Sequence, residues 1–420
     1  MARELEVSIN NIPIGTLLES LGALQFAYTP AWLNNRLARP LSRSLPLQAD
    51  PYSEQALRPY FGGLLPTGKR LRLAARTLRT TEQDLLTLLQ RLGGDCPGDV
   101  SFSDASQLQL FSEENPSIHW LMDQSLSAFV KNLPEQILLA EAFGVRALLP
   151  GETAQVPVVI EGGQIGLPCH GYPSTHILKT TEAAASDTLY GELFGLRLAA
   201  AAGIRVAANR LAVSDGHPYL LLARSDRKAS PGGDTEAVYS ETLAQAVGSA
   251  ASKEPAGQAV QCFEIVRQSI RPGAPALLQL LDIVTFTLLI GSAPALAEQT
   301  GLVAATAANK SDLALALTPL AAVQADYSRA DKVISILNGN AKRFSDLSLG
   351  DWEQFVRSAG FSWAQSRKRI VALAQRLQEA APRVQQDIAT QCAASSPSVT
   401  RLVERVQKRA AATVQTLSAA

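Results

Sequence analysis

This 420-residue chain has only four cysteines, two methionines and 6% aromatic residues. Cys96, Cys169, Cys262 and Cys392 lie far apart, with no C-x-x-C pair. That spacing suits neither a zinc site nor a dense disulfide framework, and it makes a reducing cytoplasm the expected setting. His119, His170, His176 and His217 form no i, i+4 pair and no metal-binding spacing, so the reading of the sequence includes no metal site. Net charge is lacking too: 38 basic and 38 acidic residues cancel, so nothing global argues for nucleic acid or an anionic membrane. The opening residues MARELEVSINN contain no apolar signal core. The most apolar run, residues 277–290, contains Asp282 and is too short to span a bilayer. No G-x-S-x-G elbow and no Walker loop is present.

Hydrophobic residues make up 46% of the chain and charged residues 18%, enough apolar material for two or three packed units. Leu5, Val7 and Ile9 alternate with polar residues, and Asn10-Asn11 turns the chain into a second strand over 12–18. A further extended piece covers 24–28. Residues 52–92 read as helix, broken at Pro66-Thr67-Gly68, with Thr81 as the cap before a leucine stripe from Leu85 to Leu92. Gly93 to Gly98 is a hard stop. Residues 117–148 read as helical and connecting. Strands are expected at 155–160 and 175–180, a helix at 186–202 closed by Gly203, and a hairpin through Ser214-Asp215-Gly216-His217. Helices are expected at 240–250, 257–270, 275–291, 350–359, 362–380 and 382–393. The basic tail helix with Arg401, Arg405, Lys408 and Arg409 reads as a solvated face rather than a nucleic-acid contact. The order strand–strand–helix–strand–strand is that of a kinase N-lobe.

Several motifs in fixed order carry a resemblance along nearly the whole chain. They are Phe26-Ala-Tyr-Thr-Pro-Ala-Trp32, Leu41-Ser-Arg-Ser-Leu-Pro-Leu47, Pro59-Tyr-Phe-Gly-Gly-Leu-Leu-Pro66 and Leu92-Gly-Gly-Asp-Cys-Pro-Gly98. Thr175-His-Ile-Leu-Lys179, Ala201-Ala-Gly-Ile204 and Arg224-Ser-Asp-Arg227 follow, then Leu317-Thr-Pro319 and the stretch from Ile336 to Phe344 with Asp351-Trp352. Together they resemble HipA-type serine/threonine kinase toxins of toxin–antitoxin systems. The resemblance implies an α+β, protein-kinase-like bilobal fold, with a β-rich N-lobe, a helical C-lobe and an additional N-terminal α/β subdomain. The expected divisions are 1–110 for the subdomain, 111–235 for the N-lobe with connecting helices, and 236–420 for the C-lobe.

The resemblance places Lys179 at the lysine that reaches the α/β-phosphates, with Glu192 as its acidic helical neighbour. Gln155 falls in the phosphate-covering loop and Arg224 and Asp226 in the hinge, giving five candidate ATP-binding residues. That loop departs from the family: Thr153 stands for a glycine, Pro157 removes a donor and a basic side chain, and Pro150 falls at a regulatory serine. The catalytic loop departs further. Aligned on Gly291, Pro294 falls at the catalytic Asp, Leu296 at the His, Glu298 at the Lys and Gln299 at the metal-binding Asn. After Leu317-Thr-Pro319, Ala322 falls at the magnesium-binding Asp. Asn338 to Lys342 superficially resembles a catalytic loop but matches a later, non-catalytic segment.

Phosphoryl transfer needs a carboxylate to orient the attacking hydroxyl and oxygens to hold magnesium. The leading expectation is therefore a degenerate member, a pseudokinase acting by protein binding, with ATP as the candidate cofactor and no magnesium. Its expected partner is a helix-turn-helix antitoxin-like protein or an active kinase paralogue; DNA is met only indirectly, and no membrane is implied. Two alternatives stay open. One is an active serine/threonine kinase rerouted through Glu298 or Asp326; the other is a sensor that binds ATP without metal.

Overall fold

The structure, a computed structural model, describes residues 3–20, 22–104, 115–147, 149–230, 232–248, 258–292, 296–306, 312–317, 343–392 and 396–418. Pro294 and Ala322, the positions expected to depart from the family's catalytic pattern, lie outside these residues, as do Asp326 and the 338–342 stretch. The chain divides into two compact units. One comprises residues 1–183, 213–251 and 303–312; the other comprises 184–212, 252–302 and 313–420.

The first unit contains two antiparallel sheets. In the first, β1 (Arg3–Ile9), β2 (Ile12–Ser20), β3 (Ala23–Tyr28), β4 (Tyr52–Ser53) and β5 (Val100–Ser103) lie in the order β4-β3-β2-β1-β5. Asn10 and Asn11 turn β1 into β2 with φ of 47° and 61°, the left-handed pair that a two-residue hairpin requires. The alternation of β1 buries Leu5, Val7 and Ile9 on one face. Against that face pack α1 (Glu54–Gly62), α2 (Gly68–Thr77) and α3 (Leu85–Leu92), around an edge-to-face cluster of Phe26, Phe61 and Phe102. The leucine stripe of α3 is buried as its spacing requires, but its cap is Asp84, whose side chain accepts from the backbone of Thr87, and not Thr81.

In the second sheet of this unit, β6 (Ser117–Leu121), β7 (Ala154–Glu161), β8 (Gln164–Cys169), β9 (His176–Thr180) and β11 (His217–Ala223) run β11-β9-β7-β8-β6. The strand β10 (Asn209–Ser214) enters β11 through Asp215 and Gly216, at φ of 47° and 76°. Two strands depart from the expected pattern. Residues 117–121 are a strand rather than helix, followed by α4 (Asp123–Asn132), and β8 is an added strand between the two expected ones. Gly166 makes the β6–β8 pairing feasible. A methyl group there would come within 2.3 Å of Ile118, diagonal to it across the pair, and 2.9 Å of Trp120, directly opposite. The sequence around 240–250 is likewise split: a short strand at Ser240–Thr242 leads into a five-residue helix, Leu243–Val247, through a capping box of Thr242 and Gln245.

The second unit is helical. Its elements include α5 (Asp187–Ala201), α6 (Gln258–Ser269), α7 (Gly273–Ile290), α8 (Leu349–Ser358), α9 (Trp363–Cys392) and α10 (Pro397–Ser418). At 18 residues α7 is long and apolar enough to cross a membrane by length and composition. Here it packs against α6, α9 and α10, and Asp282 forms a bidentate pair with Arg369 at 2.6 and 2.7 Å. Residues 363–392 form one helix rather than two. Pro382 is accommodated within it on the exposed side, where the lost hydrogen bond meets solvent. The basic face of α10 is not wholly solvated either: Arg409 is buried, donates to the carbonyl of Leu288 at 2.8 Å and lies over the ring of Phe344. At its start, the backbone N–H of Ser398 donates to Asp187 at 2.9 Å, and the Ser396 and Ser398 hydroxyls donate to the same carboxylate.

Candidate nucleotide-binding residues and the hinge network

Three adjacent strands of the second sheet position the expected lysine. In the register of β7, β9 and β11, Gln155 and Leu220 flank Lys179 directly across the strands. Paired residues point to the same face, so Gln155 and Lys179 share one side of the sheet. Lys179 is fully buried, with 0% exposure. Gln155 is buried beside it and donates its amide N–H to the carbonyl of Pro150, while its Oε1 is enclosed without a hydrogen-bond partner. The segment before Gln155 is held as well. The N–H of Thr67 donates to Gly151 at 3.1 Å, and Pro66 bridges to Gly151. Glu192 is buried on α5, in the second unit.

Arg224 and Asp226 are brought into a different arrangement. Arg224 has five N–H donors, and all five are used. Nε donates to Asp226 at 3.0 Å, Nη1 to Asp95 at 2.7 Å and Ser174 at 3.1 Å, and Nη2 to Cys96 O at 2.7 Å and Asp226 at 2.8 Å. Arg227 lies alongside, donating to Asp95 at 2.6 Å and to the carbonyl of Gly98 at 2.8 Å. The other oxygen of Asp95 accepts from Ser174, and the N–H of Gly98 donates to Asp226 at 2.6 Å. Burial pushes the carboxyls of Asp95 and Asp226 up, but the guanidiniums of Arg224 and Arg227 outweigh it and leave both below the ordinary value. This network fastens the Gly94–Gly98 turn to residues 224–227. Sequence reading singled out both motifs but did not pair them, and it left Asp95, Ser174 and Arg227 out of the candidate set.

Part of the segment expected to be the catalytic loop is described. Gly291 closes α7 in a left-handed conformation, Gln299 is buried, and Glu298 is exposed. Among the described residues no group of three or more His, Cys, Asp or Glu could hold a metal ion. Arg224 and Asp226 are engaged in the hinge network, and Lys179 and Gln155 are buried.

The fold places the protein in the kinase-like α+β class. The description "HipA N-terminal domain" matches residues 5–103 and "HipA-like C-terminal domain" matches residues 151–385, and the chain belongs to the HipA family. It is 31% identical over 377 residues to the protein Y4mE of Sinorhizobium fredii, named as a kinase candidate, covering 87% of this chain and 88% of that protein. A protein of Haemophilus influenzae is 31% identical over 94 residues, which is 22% of this chain and 85% of that one. Among solved structures, HipA of Shewanella oneidensis MR-1, in complex with HipB and operator DNA, is similar with a TM-score of 0.77 at 17% identity, over 99% of this chain and 98% of that one. The kinase-related HipA fold stands on these matches.

Replacing Arg224 by Ala removes the bidentate partner of Asp226 and one of the two arginines on Asp95, leaving Arg227 to serve both buried carboxylates, and should cost about 3–5 kcal/mol in denaturant unfolding. Because both carboxyls titrate lower in the folded state, their stabilising contribution is fully present above about pH 4 and fades as pH falls toward their folded values, so the wild type should lose this increment only in acid. In acetic anhydride labelling followed by mass spectrometry, Lys69, whose side chain is 75% exposed, should be acetylated readily, and Lys179 only after denaturation. Equal labelling of both lysines in the native protein would show the Lys179 face to be open.

Proposed function

We propose that this chain is a HipA-family pseudokinase that acts by binding a protein partner within or beside a toxin–antitoxin system. The observation that carries the reading is in the sequence: Pro294 and Ala322 stand where the family resemblance places the catalytic and magnesium-binding aspartates. Neither side chain can accept a proton or hold a cation. Supplying the carboxylate from Glu298 or Asp326 would misplace it by several residues, and an error of ~1 Å already costs ~100-fold in rate. The enclosed positions of Lys179 and Gln155 and the internal use of Arg224 and Asp226 support the same reading.

The partner in this reading is a helix-turn-helix antitoxin-like protein of the HipB kind. It is supported by the fold shared with a HipA that was solved together with HipB and operator DNA. DNA contact then falls mainly to the partner, which the balanced charge of this chain accommodates. An active kinase paralogue is the other candidate partner, and the setting is cytoplasmic. The retained Lys179 favours a second reading, a sensor that takes ATP without metal once the Lys179 face is uncovered. Co-expression of the tagged full chain with the products of its neighbouring genes tests the leading reading. A helix-turn-helix protein or a kinase paralogue should co-purify in fixed stoichiometry, and the complex should survive Lys179→Ala. Recovery of the chain alone would contradict the proposal.

A further inference from the structure

The helix α2 carries charge of one sign only. From Pro66 to Thr80 the chain has five basic residues and no acidic one. Arg70 is turned inward, where it is buried and donates to the carbonyls of Leu133 and Pro134. Leu71, Leu73 and Leu78 pack against the core. The other side shows Lys69, Arg72, Arg76 and Arg79, all exposed, at the three- and four-residue spacing that lines side chains along one face. Lys69 is paired with Glu182 at 2.6 Å. Arg72, Arg76 and Arg79 differ: among the described residues no hydrogen bond or ion pair engages them.

The stability of the helix does not account for this stripe. Arg72 and Arg76 are like charges four residues apart, which weakens a helix. Arg79 stands where a helix end favours glycine. The N–H of Thr80 donates to the carbonyl of Ala75 at 2.9 Å and the N–H of Arg79 to that of Arg76 at 3.1 Å, the paired bonds of a Schellman motif. Arg79 takes its left-handed position, at φ of 55°, which a side chain makes costly.

Three unpaired guanidiniums call for an anionic partner, and the surroundings decide which kind. A membrane-surface helix needs large apolar side chains beside its basic ones, and among the described residues none of the exposed large apolar side chains lies on α2. Carboxylates flank the stripe at both ends. Glu182 and Glu152 lie at its start, the latter against Gly68, and Asp84 accepts from Thr80 at its end, joined through Arg3 to Glu19. A nucleic-acid duplex, which carries charge continuously along its length, would run from the stripe onto these carboxylates. A short acidic segment fits between them. Arg72 to Arg79 spans about 10 Å at a helical rise, and side chains on one face of an extended segment recur every ~7 Å.

We infer that the exposed face of α2 docks a short acidic segment of a partner protein, whose carboxylates pair with Arg72, Arg76 and Arg79. The surface is separate from Lys179 and does not depend on whether the chain transfers phosphate or binds ATP.

The test is fluorescence anisotropy on the full chain at physiological ionic strength, where diffuse attraction is screened. The probes are a labelled peptide of four Glu-Ser repeats, its Gln-Ser counterpart and a 12-base-pair DNA duplex. The Glu-Ser peptide should saturate and the Gln-Ser peptide should not. The double variant Arg72→Glu, Arg76→Glu should weaken peptide binding by about tenfold or more. Arg79→Gly places glycine in the left-handed position, so it should melt no lower than the wild type while binding the peptide several-fold more weakly. That split separates a docking role from a structural one, and it holds the test open if the double variant fails to fold. The inference is overturned if the Glu-Ser peptide does not saturate, if its binding is indifferent to the folded variants, or if the duplex binds more tightly than the peptide through the same arginines.

Discussion

The first unit is held together by one buried arginine. Arg224 sits at the end of β11 with no exposed side-chain surface, and its five donors are all satisfied by Asp95, Asp226, Ser174 and the carbonyl of Cys96. A buried guanidinium is tolerable only when its charge and every donor are matched, and here the matching groups come from segments about a hundred residues apart in sequence. The Gly94–Gly98 turn, the Ser174 turn and the 224–227 segment are therefore fixed by one interaction. A second buried carboxylate, Glu241, works in the same way, accepting from the hydroxyls of Ser42 and Tyr239 and from the N–H of Arg43 at 3.1 Å. Together they make the N-terminal sheet and the kinase-like sheet of this unit one body.

That arrangement bears on function. Hinge residues in a kinase-like fold lie beside the nucleotide, whereas here the hinge side chains are committed to the fold. The loop that would cover phosphates is tied back through Gly151 to Thr67, and Gln155 is turned onto Pro150. In the proposed reading the groups for transfer are lost at Pro294 and Ala322, and with this goes the burial of Lys179 and Gln155 and the engagement of Arg224 and Asp226 within the first unit.

Much of the fold was legible locally. The Asn10-Asn11 and Asp215-Gly216 turns were readable because left-handed pairs demand such residues, and the leucine stripe of α3 was readable from its spacing. Strands β6 and β8 were not, because β6 is a short edge strand with only Leu121 buried, and β8 carries Gly166 and Pro168, residues that argue against a strand. The passage of α9 through Pro382 was hidden for a similar reason: packing against α10 and α5 overrides a local breaker. Of the candidate site, the strand position of Lys179 was legible from its flanking motif. The capture of Arg224 and Asp226 by Asp95 was not, since no local pattern records a contact between residues 129 apart.

The most direct test of the central claim is transfer of the γ-phosphoryl group from radiolabelled ATP to the chain itself and to its co-purified partner, with magnesium or manganese present. The account predicts incorporation no greater than that of Lys179→Ala. Incorporation in the wild type that is abolished in Lys179→Ala would contradict it and establish an active kinase.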